Sequence, residues 1–305
     1  MVRRRDIRPV DLFGIIPPMT TPFTATGRID EAAFRAEARF LLEAGVHGLA
    51  VGGSTGEGHT LSIEECRRLV QIAIAESDGR VPVIAGIIVN STRQAIERGK
   101  AVAELPVAAL QITPVHYLFR PDDAHMLEHF RTVADAVRAP IIIYNVVPWC
   151  YLSSDLLVRI MKRVPRVIGV KQSAGDLKLL ADLLLATPKD KRIFSAVDAL
   201  MYPSFALGAH GAIAAILTAA PRACVALWQA VRDGDRDSAH RLHKRLLRLW
   251  NAIAGDNLPA CVKCALEAQG IKAGHPRAPM PPASPRQRKA IVAALERIGQ
   301  APAIV

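Results

Sequence analysis

A lysine set inside an otherwise apolar run is the most chemically loaded feature of this 305-residue sequence. It is Lys171, in VIGVKQ from Val167, and the residue after it is Gln172. No acid stands beside it in the run, and an unpaired buried ammonium costs several kcal/mol. Desolvation lowers a lysine pKa, so a neutral amine becomes available near pH 7 to attack a carbonyl carbon. The product is a Schiff base, an electron sink for making or breaking the neighbouring carbon–carbon bond. Such chemistry needs a proton shuttle and an anchor for the substrate. Tyr144, near the end of PIIIYNVV, supplies a phenol, and Ser54 and Thr55, in the turn GGSTGEG, supply hydroxyls and amides that can hold a carboxylate.

The elements that must position these groups alternate regularly. Strand-like runs begin at Phe13 (FGIIPPM), Gly48 (GLAVGG), Val81 (VPVIAGII) and Ala108 (AALQITP), then at Pro140, Val167, Ile193 (IFSAV) and Gly211 (GAIAAIL). Most are nearly continuous in Val, Ile and Ala, as parallel strands buried on both faces should be. Amphipathic stretches lie between them, such as Asp30 to Glu43, Ser62 to Ser77 and Pro121 to Arg138. Asp30 predicts an N-cap, and Ser62 with Glu65 predicts a capping box. Eight strand–helix units predict a (β/α)8 TIM barrel, a fold of about 250 residues. A doubly wound sheet fits less well, because no GxGxxG follows the first run, and Glu57 in GGSTGEG would repel a phosphate. After residue 232 only helical patterns remain: Asp237 to Ala254, Pro259 to Gly270 and Pro285 to Gly299. The expected organisation is a barrel over 1–232 carrying the site and a C-terminal helical extension over 233–305 packed on it.

In such a barrel the reacting groups stand at the carboxyl ends of the strands. Those ends carry Thr20, Thr21, Ser54, Thr55, Asn90, Thr113 to Tyr117, Tyr144, Asn145, Lys171, Asp198, Ala214 and Ala215.

Composition narrows the class. Half the residues are hydrophobic and 22% are charged, which supports a large core. No apolar run reaches the roughly 18 residues of a membrane span, and the basic start MVRRRDIRPVDLFG has no apolar region behind it, so no secretory signal is expected. Five scattered cysteines fit a reducing cytoplasm better than a disulfide framework. Cys261 and Cys264 form a CxxC within an apolar helical run and read as packing. His125, Glu128 and His129 form HxxEH without a third ligand and read as a solvated helix face. No metal is expected. The formal charge of +11 is spread along the chain. Its local clusters are Arg3 to Arg5, His240 to Arg248 and Arg286 to Lys289; the last two lie in helical patterns and read as solvated faces, and nucleic-acid binding gains no motif.

Taken together, these residues resemble the dihydrodipicolinate synthase and N-acetylneuraminate lyase family over essentially the full length. The matching motifs are GGSTGE at Gly52 to Glu57, GRVPVIAG at Gly79 to Gly86 and YNVVP at Tyr144 to Pro148. GVKQSAGDL at Gly169 to Leu177 and PACVKCALEAQGI from Pro259 also match. The resemblance implies a cytoplasmic homotetramer, a dimer of dimers, that handles pyruvate or a related 2-oxo acid through a lysine Schiff base without a cofactor. It implies Lys171 as the Schiff-base lysine, Tyr144 as the proton-relaying tyrosine, and Ser54 in the relay. Gly53 and Thr55 would help bind the carboxylate. A second relay tyrosine follows a Thr-Pro in the family. In TPVHYLFRP that role falls to Tyr117 or His116, and the spacing leaves both open.

The departures bear on the second substrate. Dihydrodipicolinate synthases place an arginine five residues after the first tyrosine, to hold the aldehyde substrate's carboxylate. Trp149 stands there, an indole in place of a bidentate cation. Ser173 occupies a position that usually holds threonine in sialic acid lyases. Their Asp-Glu after the seventh strand is Asp198–Ala199 here, and their eighth-strand serine is Ala215. The remaining substrate pocket, to which Ile213 also belongs, is expected to be less polar than in either relative. The expectation is a lyase or aldolase that cleaves or condenses pyruvate with an aldehyde-type partner, neither aspartate semialdehyde nor sialic acid. The alternatives are a 2-oxo-3-deoxy sugar acid dehydratase, a 4-hydroxy-tetrahydrodipicolinate synthase and, in another class, a non-catalytic barrel that senses a 2-oxo acid.

Overall fold

The computed structural model describes residues 12–299; the Arg3 to Arg5 cluster lies outside them. Eight parallel strands alternate with helices: β1 (Gly14–Ile15), α1 (Glu31–Glu43), β2 (Leu49–Val51), α2 (Ile63–Ser77), β3 (Val83–Ile87), α3 (Thr92–Ala103), β4 (Ala109–Ile112) and α4 (Asp123–Val137). There follow β5 (Ile141–Asn145), α5 (Ser154–Arg163), β6 (Val167–Gln172), α6 (Leu177–Ala186), β7 (Arg192–Ser195), α7 (Met201–Ala206), β8 (Gly211–Ala212) and α8 (Ala215–Ala219). The strand order is β1-β8-β7-β6-β5-β4-β3-β2. The ring closes beyond β1, where Ala50 N donates to Pro17 O at 3.0 Å and Met19 N to Ala50 O at 2.8 Å. The TIM barrel expected from the alternation is the fold observed.

Why the strands read as unbroken apolar runs is visible in the two clusters they feed. Ile84, Ala109, Ile142, Ile168, Phe194 and Ile213 belong to a small cluster inside the barrel. Their strand neighbours Ala85, Leu110, Ile143, Val167 and Ile193 belong to a large one between strands and helices. Alternate residues thus face different apolar environments, and neither face meets water.

Two strands are shorter than their apolar runs. β1 ends at Ile15 because Pro17 and Pro18 carry no N–H for a ladder. β8 ends at Ala212, since the chain turns at Ala214 to start α8. Gly211, at φ +153, is required there, because a Cβ would stand 2.2 Å from Gly14 O. The predicted caps are present: Asp30 accepts from Ala33 N, and Ser62 and Glu65 form the capping box.

Four further helices follow: α9 (Pro221–Arg232), α10 (Arg236–Ile253), α11 (Leu258–Glu267) and α12 (Pro285–Ile298). α10 packs on α9 and α12, and α11 on α8. Cys261 and Cys264 are buried and unpaired. The basic residues from His240 to Arg248 and from Arg286 to Lys289 are exposed, except His243, which is half-buried against Tyr202. In HxxEH, His125 and Glu128 lie on the surface, but His129 turns inward against Phe130 and meets Thr92 Oγ1 at 2.9 Å. A wholly solvated face was therefore the wrong expectation for that residue. Among the described residues no helix is long and apolar enough to cross a membrane.

Candidate active site

Lys171 and Tyr144 are register partners on β6 and β5. Both side chains take inward positions, two residues beyond Ile142 on β5 and three beyond Ile168 on β6, so they stand on the apolar floor of the barrel at its carboxyl end. The outward residues between and beyond them fix the strand ends. Asn145 Nδ2 donates to Gln172 Oε1 at 2.8 Å and to Leu152 O at 3.1 Å. Lys171 is 3% exposed, and its Nζ lies 3.7 Å from the centroid of the Tyr144 ring. It forms no ion pair among the described residues. Burial pushes its pKa down to about 7, with the carboxylate of Asp198 opposing the shift. About half the amines are then neutral at pH 7.

Asp198 is half-buried beyond the end of β7, where its Oδ1 accepts from Ile216 N at 2.8 Å. Burial raises its pKa to about 6. The Tyr144 phenol is pushed up to about 12 by burial, against the opposing effect of its bond to Ser54. It remains protonated at neutral pH and donates to Ser54 Oγ at 3.1 Å.

The turn after β2 is tightly wound. Gly53 O accepts from both Gly56 N, at 3.1 Å, and Gly58 N, at 3.0 Å. The coil is so tight that a Cβ on Gly58 would stand 1.8 Å from Gly52 O. Wound this way, the turn leaves the amides of Ser54 and Thr55 without an acceptor among the described residues. Two adjacent free amides and a hydroxyl beside a phenol are groups that can together hold a carboxylate. Glu57, which looked from the sequence like an obstacle to anions here, turns away from the mouth. Its carboxylate is buried against Lys263 Nζ, 2.6 Å away.

The remaining predicted residues are less tightly grouped. Gly53 and Thr55 are buried in the turn, and Ser173 is half-buried with its N–H donating to Asn145 O at 3.1 Å. Ile213 lies in the inner apolar cluster, below the mouth. Trp149 stands on a short 3-10 turn after β5, 70% exposed. Its Nε1 donates to His116 O at 2.9 Å, so the indole bridges the loops after β5 and β4. Tyr117 is 64% exposed. Neither His116 nor Tyr117 hydrogen-bonds to Tyr144 or Ser54 among the described residues, and within one chain the hydrogen bond from Tyr144 ends at Ser54.

One polar group, Gln111, was missed by sequence reasoning, and Thr113 was named there only as a strand-end residue. Gln111 and Thr113 take inward positions on and just after β4, buried, and Gln111 Oε1 and Thr113 Oγ1 have no partner among the described residues. The signal was a glutamine inside the apolar run AALQITP, the pattern that singled out Lys171. No group of three or more His, Cys, Asp or Glu among the described residues could hold a metal ion.

Residues 11–298 match the family model described as the dihydrodipicolinate synthetase family. A 4-hydroxy-tetrahydrodipicolinate synthase of Methanopyrus kandleri is 36% identical over 292 residues, covering 95% of this chain and 97% of its own. The dihydrodipicolinate synthase structure from Aquifex aeolicus superposes with a TM-score of 0.89 at 27% identity, covering 96% of this chain and 100% of its own. YagE from E. coli K12, a prophage protein of the dihydrodipicolinic acid synthase family solved in complex with pyruvate, gives 0.90 at 26% identity over 95% and 99%.

Proposed function

The chain belongs to the dihydrodipicolinate synthetase family of lysine-Schiff-base lyases, and from that premise we propose that Lys171 forms an imine with pyruvate and cleaves or builds the bond to an aldehyde-type partner. The observation that carries this reading is the juxtaposition of an unpaired, buried Lys171 with Tyr144, itself hydrogen-bonded to Ser54 beside two free amides.

The pyruvate carboxylate is received by the Ser54 and Thr55 amides, which brings the keto carbon to the neutral Lys171 amine. Nitrogen attacks carbon, and the carbonyl oxygen takes up a proton through the Tyr144–Ser54 pair. Loss of water leaves the imine. Its nitrogen withdraws electrons, a methyl proton passes to the Tyr144–Ser54 pair, and the resulting enamine attacks the partner's aldehyde carbon, whose oxygen takes up that proton. In the cleaving direction the same steps run backwards, and Tyr144 and Ser54 return the proton.

The partner is read from the residues at and after the strand ends. Trp149 stands where a carboxylate-binding arginine would be needed, and Ala199, Ala214 and Ala215 offer no hydroxyl or charge. These support an aldehyde with few hydroxyls, including aromatic ones, over aspartate semialdehyde or sialic acid. A second reading, 4-hydroxy-tetrahydrodipicolinate synthesis, is favoured by the 36% identity to a relative so named. Homotetrameric assembly belongs to this proposal through the family. So does a cytoplasmic site of action, which five buried, unpaired cysteines support.

The test is to incubate the protein with pyruvate, reduce with borohydride, and map the modified residue by mass. A pyruvyl adduct on Lys171, absent from Lys171→Ala, is expected. A folded protein that gives no adduct would refute the catalytic reading in favour of a non-catalytic barrel. A panel of aldehydes then separates the partners, and efficient turnover of aspartate semialdehyde would establish the second reading instead.

A further inference from the structure

Glu57 is wholly buried and sits in the left-handed region at φ 53, where a residue with a side chain is normally strained. Both its carboxylate oxygens are engaged, and both partners come from the helical tail. Oε1 accepts from Lys263 Nζ of α11 at 2.6 Å, and Oε2 accepts from the Arg277 main-chain N–H at 2.8 Å. Lys263 is itself 2% exposed and donates a second bond, to His275 O at 2.7 Å. The Arg277 side chain grips the other end of the same segment. Its guanidinium takes Glu65, the residue of the α2 capping box, at 2.6 and 2.9 Å, and Thr60 O at 2.7 Å. Both cations flank the ring of Phe23, at 4.9 and 4.2 Å.

What this clamp holds is the carboxylate receptor. Glu57 N donates to Ser54 O at 3.0 Å, so the Glu57 backbone closes the turn in which the Ser54 and Thr55 amides stand free. If Glu57 left its φ, that bond would break and the two amides would be re-aimed. A buried ion pair is a poor source of stability, since apolar side chains of the same volume serve as well. A carboxylate accepting from two separate tail segments does supply a fixed direction. We infer that Lys263 and Arg277 are positioning residues: through Glu57 they hold the Ser54–Thr55 amides toward the incoming 2-oxo acid, which makes the tail part of the substrate site.

This rests on the reading of Ser54 and Thr55 as the carboxylate receptor, and the experiment separates the two. Borohydride trapping is measured against pyruvate concentration for the parent, for Lys263→Met, and for Glu57→Gln combined with Lys263→Met. The double variant removes both charges of the Glu57–Lys263 pair together, so it keeps the comparison available where the single variant fails to fold. Arg277→Lys, on a partly exposed side chain, gives a third reading.

The half-saturating pyruvate concentration should rise about tenfold or more in the Lys263 variants, the scale on which a displaced positioning group acts. It should rise less, in the same direction, for Arg277→Lys. The trapping rate at saturating pyruvate should stay near the parent's. A tail that merely stabilises the fold would lower the amount of active protein and leave half-saturation alone. A folded double variant with parental half-saturation therefore overturns the inference while the Schiff-base reading stands. A parent that forms no adduct overturns that reading and this one with it.

Discussion

Replacing Lys171 by Met should make the protein inactive and more stable, and the gain should depend on pH. In the folded chain the amine titrates near 7, against 10.5 when exposed. At pH 7 the unfolded chain is therefore protonated in all but about one molecule in 3,000, while the native chain is protonated in about half. Keeping this lysine in its buried setting at pH 7 thus costs about 4 kcal/mol relative to a side chain with nothing to titrate. The sign follows from proton counting: between pH 7 and 10.5 the unfolded state binds more protons, so parental stability rises across that window and is lowest below it. Met has a similar length, no charge and no desolvation cost. The expected result is a Tm for Lys171→Met several degrees above the parent's at pH 7, with a free-energy difference shrinking to less than about 1 kcal/mol by pH 10.5. Thermal unfolding of both proteins across that range is the assay. A variant no more stable at pH 7, or one whose advantage is the same at pH 10 as at pH 7, would refute the claim that burial depresses the Lys171 pKa.

Tyr144→Phe removes the hydroxyl that donates to Ser54 while keeping the ring beside Lys171. Turnover should fall by about 10²- to 10⁴-fold with Tm near the parent's, and a loss smaller than about tenfold would remove Tyr144 from the relay. Asp198→Asn keeps an acceptor for Ile216 N but deletes the charge that favours the Lys171 ammonium. The pH below which pyruvate trapping falls should consequently move under 7; an unchanged or higher value would show that Asp198 does not act on Lys171.

The barrel was legible because its strands are buried on both sides. Runs such as PIIIYNVV send alternate residues to the inner and outer clusters, and that leaves an uninterrupted apolar signature. Lys171 and Tyr144 stood out against it, and their neighbourhood followed from strand order. The same contrast was present at Lys263, in PACVKCALEAQG, and went unread as a site feature. One lysine is unpaired and the other has a carboxylate 206 residues away, a difference that lies in tertiary contacts and not in local pattern. Asp198 illustrates the same gap, since its influence on Lys171 depends on how the chain turns after β7. β1 and β8 were overestimated because apolar character continues past the point where prolines or a helix start end the ladder. The bond between Trp149 and His116 links two loops whose relative placement no periodicity encodes.

The Glu57–Lys263 contact also sets a clock on the protein's own synthesis. At about 5 to 20 residues per second, the ribosome needs roughly 10 to 40 seconds to deliver Lys263 after Glu57. All eight strands are made before it arrives. During that interval a glutamate destined for the interior has no counter-charge, and only the local bonds of its turn hold its left-handed backbone. The proposed carboxylate receptor, though encoded near the start of the chain, therefore gains its tail contacts only after every strand has been made. A nascent barrel thus holds its lysine and tyrosine before the tail reaches the turn proposed to capture a substrate.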